Sequence, residues 1–236
     1  ILKKKNKVPI VCLSTYSAAI TKTIDKYCDI ILVGDSLGMV LYGMKSTREV
    51  KLETMIAHGK AVKNSAKNSL VVVDMPYRTY PNQSIALKNA KRIIKLTKCD
   101  GIKLEGGKKV TNIIKHLTRN NIPVMGHVGL LPQTALKFKV RGKEPLERKK
   151  ILDDAVAVAN SGVFATIIEC VIEELAKNIT KKIKVPTIGI GASKHCDGQI
   201  LVVDDMLGTS NFSPKFVKKY SNINKIIKKS VMSYAR

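Results

Sequence analysis

The sequence predicts a (β/α)8 TIM barrel, and three observations carry that expectation. Short, β-branched, largely apolar runs recur along the chain, stretches with helical spacing separate them, and successive runs finish in an ionisable residue. Strands that are apolar throughout, rather than alternating, belong to parallel sheets buried on both faces. Regular strand–helix alternation points the same way, because a parallel neighbour is reached only through a crossover. Seven or eight repeats favour a closed barrel over an open sheet, and 236 residues is close to the size of one barrel. Residues 1–236 are therefore expected to form a single barrel domain.

The predicted strands cover residues 8–15, 30–35, 70–75, 102–105, 124–127, 165–169 and 187–191, with an eighth at 200–203. Helical spacing of apolar and charged residues places helices at 53–66, 83–98, 108–119, 147–160 and 173–181. The segment from 192 to 199 is short for a full crossover helix, and a last helix from about 214 to 234 closes the set. Residues 137–150, rich in Lys and Arg and carrying a Gly and a Pro, are expected to form a mobile loop after the fifth strand.

Composition excludes several classes. Hydrophobic residues make up 44% of the chain, no apolar run approaches the roughly 18 residues of a membrane span, and the first residues carry no signal-peptide core. Five scattered cysteines without a C-x-x-C pair argue for a reducing compartment, hence a cytoplasmic location, and against a zinc site. The net charge of +24 is the extreme value, and its functional reading is attraction to nucleic acid, anionic lipid or an acidic substrate. The lysines run from Lys3 to Lys229 without an aromatic stripe or a nucleic-acid-binding motif, so no nucleic-acid partner is expected.

In a barrel, chemistry sits where strands end. The second predicted strand ends in Gly34-Asp35-Ser36, the third in Asp74-Met75-Pro76 and the fourth in Lys103-Leu104-Glu105. The fifth ends in His127 and the sixth in Glu169. Converging carboxylates repel one another and need compensation. Lys103 supplies one positive charge, and a divalent cation is the natural source of the rest. All-oxygen ligands favour Mg²⁺ over Zn²⁺. Such an ion would chelate a 2-oxo acid and stabilise its enolate. Bland alternatives stand beside each reading. Asp35, Asp74 and Glu169 could be helix-entry residues, Lys103 and Glu105 a structural ion pair, and His127 a hydrogen-bonded core residue.

These residues, in this order, resemble the ketopantoate hydroxymethyltransferase (3-methyl-2-oxobutanoate hydroxymethyltransferase) family. The matching strings are VGDSLGMVLYG at 33–43, DMPY at 74–77, KLEGG at 103–107, GHVGLLPQ at 126–133, ECV at 169–171, and IGIGA with DGQILV between 188 and 202. The resemblance implies a barrel of the phosphoenolpyruvate/pyruvate type and a homodecameric assembly. It also implies transfer of a hydroxymethyl group from 5,10-methylenetetrahydrofolate to 3-methyl-2-oxobutanoate through a Mg²⁺-stabilised enolate, giving 2-dehydropantoate, the first step of pantothenate synthesis. By motif, Asp35, Asp74 and Glu105 match the Mg²⁺ site, and Asp35, Ser36, Asp74 and Lys103 match contacts to the oxo acid. Glu169 matches the general base, and His127 falls in a family motif as a supporting residue. Ser17 stands where an Asp is common, the stretch 136–142 lacks the usual paired glycines, and Ser193 stands where Gly is common. The rival enzymes are C–C or P–C bond lyases acting on a 2-oxo acid. Many of those carry a reactive cysteine in a Lys-, Gly- and His-containing loop, which this sequence lacks.

Overall fold

A computed structural model describes residues 1–209 and 214–236. Eight parallel strands close into a barrel in chain order, β1 (Ile10–Ser14), β2 (Ile30–Val33), β3 (Leu70–Asp74), β4 (Gly101–Lys103), β5 (Val124–Gly129), β6 (Ala165–Glu169), β7 (Thr187–Ile190) and β8 (Gly198–Val202). Strand β8 pairs back onto β1 in parallel, Ile10 beside Gly198 and Ser14 beside Val202. The helices are α1 (Ala18–Ile24), α2 (Leu37–Val40), α3 (Leu52–Lys63), α4 (Gln83–Thr97), α5 (Thr111–Arg119), α6 (Pro145–Ala159), α7 (Glu173–Lys182), α8 (Val203–Leu207) and α9 (Ile223–Tyr234). No helix among the described residues is long and apolar enough to cross a membrane.

Side-chain parity divides the strands into two cores. Ile30, Leu32, Val72, Met125, Ile167 and Ile188 belong to the cluster that fills the barrel. Their neighbours Ile31, Val33, Val71, Val73, Ile102, Val124 and Ile168 pack outward against the helices. Successive strand residues point to opposite faces, so the inward row continues from Val72 to Asp74, from Met125 to His127 and from Ile167 to Glu169. Polar side chains thus end rows that are apolar lower down. Close strand–helix approach is built in at Gly126, where a Cβ would come within 2.3 Å of Val158 on α6.

Differences from the sequence expectations have local causes. No helix joins β7 to β8, as the short 192–199 segment requires. Helix α5 is preceded by a 3-10 turn, Gly107–Val110, whose first residue has φ +61°. The basic segment 137–150 is not loop throughout, because Pro145 occupies the first turn of α6, where its fixed φ and missing N–H suit a helix start. The last helix begins at Ile223 rather than near 214, with the Asn222 side chain accepting from the Lys225 amide at 3.1 Å. Residues 210–213, just before that predicted helix, lie outside the described residues.

Candidate active site

All six sequence-predicted ionisable residues gather at the carboxyl end of the barrel. Asp74 and Lys103 are register partners on β3 and β4, so their inward side chains lie side by side, with Lys103 Nζ 2.7 Å from Asp74 Oδ1. Both are buried. The other Asp74 oxygen, Oδ2, accepts the Asp35 amide at 3.0 Å. Gly34 makes room for this turn, since a Cβ there would meet the hydroxyl oxygens of Ser14 and Ser36 at 3.0 and 3.1 Å. Ser36 in turn shares a 2.8 Å hydrogen bond with the Tyr16 hydroxyl.

Glu105 lies two residues past β4 and remains buried. Lys103 pairs with Met125, so the same register carried two residues on sets Glu105 beside His127. Their closest approach is 3.6 Å, Glu105 Oε2 to His127 Nδ1. On the far side of the ring, His127 Nε2 is 3.3 Å from Glu169 Oε2. Neither ring nitrogen makes a hydrogen bond of good geometry. His127 is therefore a buried ring held between two carboxylates, not the hydrogen-bonded core histidine of the bland reading. Glu169 is the more open of the two acids, its side chain 18% exposed.

The other bland readings also give way. Helix α2 has Ser36 at its N-cap without a side-chain bond, α4 is capped by Asn82, and α7 follows Ile172. None of Asp35, Asp74 or Glu169 caps a helix. Lys103 pairs with Asp74 across the strands rather than with Glu105 along its own strand.

Electrostatics show what the cluster lacks. Burial, then the charge of Asp74, pushes the Asp35 carboxyl up to about 7. Burial, then Asp35, raises that of Glu105 as well. Burial opposes the Lys103 charge, but Asp74, Asp35 and Glu105 outweigh it and hold the ammonium above its ordinary value. Four carboxylates facing one lysine leave negative charge uncompensated, and the donors are hard oxygens, which fits a cation such as Mg²⁺. The ligand set expected from sequence, Asp35, Asp74 and Glu105, is not preassembled around an empty centre. Among the described residues no three His, Cys, Asp or Glu side chains converge as a ready ligand group. Asp74 is turned toward Lys103 and the Asp35 amide instead. One or two carboxylates, with water and substrate oxygens, satisfy octahedral Mg²⁺, so the cluster fits the ion without a three-carboxylate cage.

Three residues of this cluster escape a reading by strand ends. Gln133, buried in the β5–α6 connection, donates from Nε2 to Asp35 Oδ2 at 2.8 Å, and its amide donates to Glu105 Oε1 at 2.7 Å. The Tyr80 hydroxyl donates to Gln133 Oε1, and Arg48 Nε donates to the Gln133 carbonyl at 2.8 Å. Gln133 ends one of the family strings, but only its place in that string marked it. Beside the mouth, a groove of about 490 Å³ runs from Gly107 and Gly129 along α6, lined by Lys137, Lys139, Arg141 and Lys150 with Leu131 and Ile151.

Comparison with known proteins fixes the affiliation. The family model described as ketopantoate hydroxymethyltransferase matches residues 1–236. The 3-methyl-2-oxobutanoate hydroxymethyltransferase of Pelagibacter ubique (strain HTCC1062) is 56% identical over 235 residues, covering 100% of this chain and 91% of that protein. The enzyme of the same name from Anaplasma marginale (strain Florida) is 49% identical, covering 99% and 85%. Among solved structures, phosphonopyruvate hydrolase in complex with oxalate and Mg²⁺ aligns with a TM-score of 0.67 at 10% identity, covering 100% of this chain and 84% of that one. A 2,3-dimethylmalate lyase of the PEP mutase/isocitrate lyase superfamily aligns at 0.66 and 10% identity, covering 99% and 80%. The structural likeness reaches the barrel type alone, whereas sequence identity extends over the whole chain: the chain belongs to the ketopantoate hydroxymethyltransferase family.

Proposed function

We propose that this chain, as one catalytic barrel domain, transfers a hydroxymethyl group from 5,10-methylenetetrahydrofolate to 3-methyl-2-oxobutanoate, giving 2-dehydropantoate. The observation that carries this reading is the constellation of buried Asp35, Asp74, Lys103, Glu105 and His127 with half-buried Glu169 at the barrel mouth of a chain of this family. Asp35, Asp74 and Glu105 would hold Mg²⁺ through their oxygens, directly or through its retained waters, and the ion when bound would supply the Lewis acidity that draws electrons onto the keto oxygen. Lys103 and Ser36, with Asp35 and Asp74, orient the oxo acid. Lys103 also presents a fixed positive charge where negative charge develops.

Glu169 takes the proton from C3. Its position suits the task, since it ends β6 at the mouth and is open enough to meet a substrate carbon. His127, 3.3 Å away, steadies the acid. The resulting carbanion, delocalised as the enolate, forms a C–C bond to the one-carbon unit. Water cleaves the two methylene C–N bonds, its oxygen becoming the hydroxyl oxygen and its hydrogens the N5–H and N10–H of the departing tetrahydrofolate, and the proton taken by Glu169 ends on the new hydroxyl. The groove along α6 supports a second, anionic substrate, because four cations line it against two acids, Glu147 and Asp154. The exposed apolar face of α9 supports a homo-oligomeric assembly. The test is incubation with the oxo acid, Mg²⁺ and methylenetetrahydrofolate, following 2-dehydropantoate by mass spectrometry. Product that requires all three supports the reading, and its absence with folded protein overturns it.

A further inference from the structure

We propose that Gln133 is the positioning residue of this site, holding the carboxylates of Asp35 and Glu105 in one arrangement and tying them to the β5–α6 connection. The inference rests on the reading that these two acids serve a bound cation. Gln133 is only 2% exposed although it lies outside any helix or strand. Every polar group it has is engaged. Its Nε2 donates to Asp35 Oδ2 at 2.8 Å and to the Met75 carbonyl at 3.0 Å. Its Oε1 accepts from the Tyr80 hydroxyl, its amide donates to Glu105 Oε1 at 2.7 Å, and its carbonyl accepts from Arg48 Nε at 2.8 Å. Arg48 also donates to the Ala135 carbonyl at 3.3 Å, fastening the next turn of the same segment.

The chemistry of the partners fixes the amide orientation. Asp35 Oδ2 and the Met75 carbonyl are both acceptors, so the NH₂ must face them and the oxygen must face Tyr80. Gln133 therefore occupies one oxygen of each acid and leaves Asp35 Oδ1 and Glu105 Oε2 for other ligands. Asp35 is 98 residues away in sequence and Glu105 is 28, so a single residue sets the relative orientation of acids just past the ends of two separate strands. Outer partners of this kind commonly govern metal affinity by 10–100-fold. A glutamate would fill the same space yet turn acceptors toward acceptors, and a methionine would fill it without the side-chain hydrogen bonds to Asp35, Met75 and Tyr80, the backbone bonds to Glu105 and Arg48 remaining.

The experiment is an electron-paramagnetic-resonance titration of the full chain with Mn²⁺, beside a thermal melt. Gln133→Glu and Gln133→Met should bind Mn²⁺ about 10–100-fold more weakly than wild type. Tyr80→Phe should weaken binding by about threefold, and adding it to Gln133→Met should cost nothing further, as expected of one network. Turnover at saturating Mn²⁺ should recover in the Gln133 variants while the half-saturating concentration stays high, a split that general loosening of the fold would not produce. Binding within twofold of wild type in both Gln133 variants overturns the inference. Should neither variant fold, Tyr80→Phe decides alone, with unchanged binding counting against it. If wild type itself binds no Mn²⁺, the metal reading fails and this inference with it, a result distinct from equal binding by wild type and variants.

Discussion

Lys103 is the lysine that faces the carboxylate cluster, and it is buried against Asp74 at 2.7 Å. Removing one member of such a pair strands the other charge in a poorly solvated site, at a cost of about 3–5 kcal/mol. Lys103→Met should therefore melt about 10 °C lower than wild type, and a shift below 2 °C by calorimetry would show that the pair is not compensating Asp74. Glu169 answers to a different measurement. Glu169→Gln should keep Mg²⁺ binding yet slow deuterium exchange at C3 of 3-methyl-2-oxobutanoate by about 10²–10⁴-fold, the usual worth of a positioned base. Exchange at the wild-type rate would remove Glu169 from that role. The residues legible from sequence were those ending apolar rows, because strand parity carries Val72 to Asp74 and Ile167 to Glu169 without any knowledge of contacts. Gln133 had no such signal. A glutamine in a turn follows no period, and its value arises from partners just past the ends of β2, β3 and β4 that only the closed barrel brings together.

At the scale of elements, strand existence was readable while strand ends were less so. The fourth strand stops at Lys103, short of Glu105, because the chain turns at Gly106 with φ +144°. Connections are where unread structure concentrates, and the α3–β3 connection shows why. Asp25, just past α1, accepts from the Lys67, Asn68 and Ser69 amides at 2.8–3.2 Å and from Asn68 Nδ2 at 2.8 Å. Burial opposes its charge, but these hydrogen bonds outweigh burial and hold the carboxyl below its ordinary range. A carboxyl depressed in the folded state binds fewer protons there than when unfolded. Its stabilisation is thus present above the unfolded value near 4 and is lost as pH falls below it. Asp25→Asn should cost about 2–4 kcal/mol at pH 7 in urea unfolding. The gap between variant and wild type should narrow at pH 3, and an unchanged gap would show that the charge contributes nothing. Ser17 fits the same logic: its hydroxyl accepts from the Ile20 amide at the start of α1, a task an Asp side chain can also perform.

For the molecule as a whole, the net charge of +24 and the apolar face of α9 pull in opposite directions. Ile223, Ile227, Val231 and Tyr234 fall at helical spacing on one stripe of α9, and no residue of that helix is buried. Ile227 and Val231 are 51% and 59% exposed, on a helix that also carries Lys225, Lys228 and Lys229. Two such chains repel at long range, yet joining their stripes removes apolar surface from water. Salt screens the repulsion, with a Debye length near 8 Å at physiological strength, and leaves the apolar gain intact. Self-association through α9 should therefore hold or strengthen as salt rises. Attraction to a nucleic acid would do the reverse, because neutralising phosphates releases counterions and affinity falls steeply with salt. Analytical ultracentrifugation at about 50 and 500 mM salt distinguishes them. The expected result is an oligomer at both concentrations that Val231→Glu with Ile227→Lys dissociates. A wild-type monomer at high salt would count against the stripe as a self-association surface. Nucleic-acid binding that is tight at low salt and falls steeply as salt rises would instead assign the charge a role that the barrel mouth does not need.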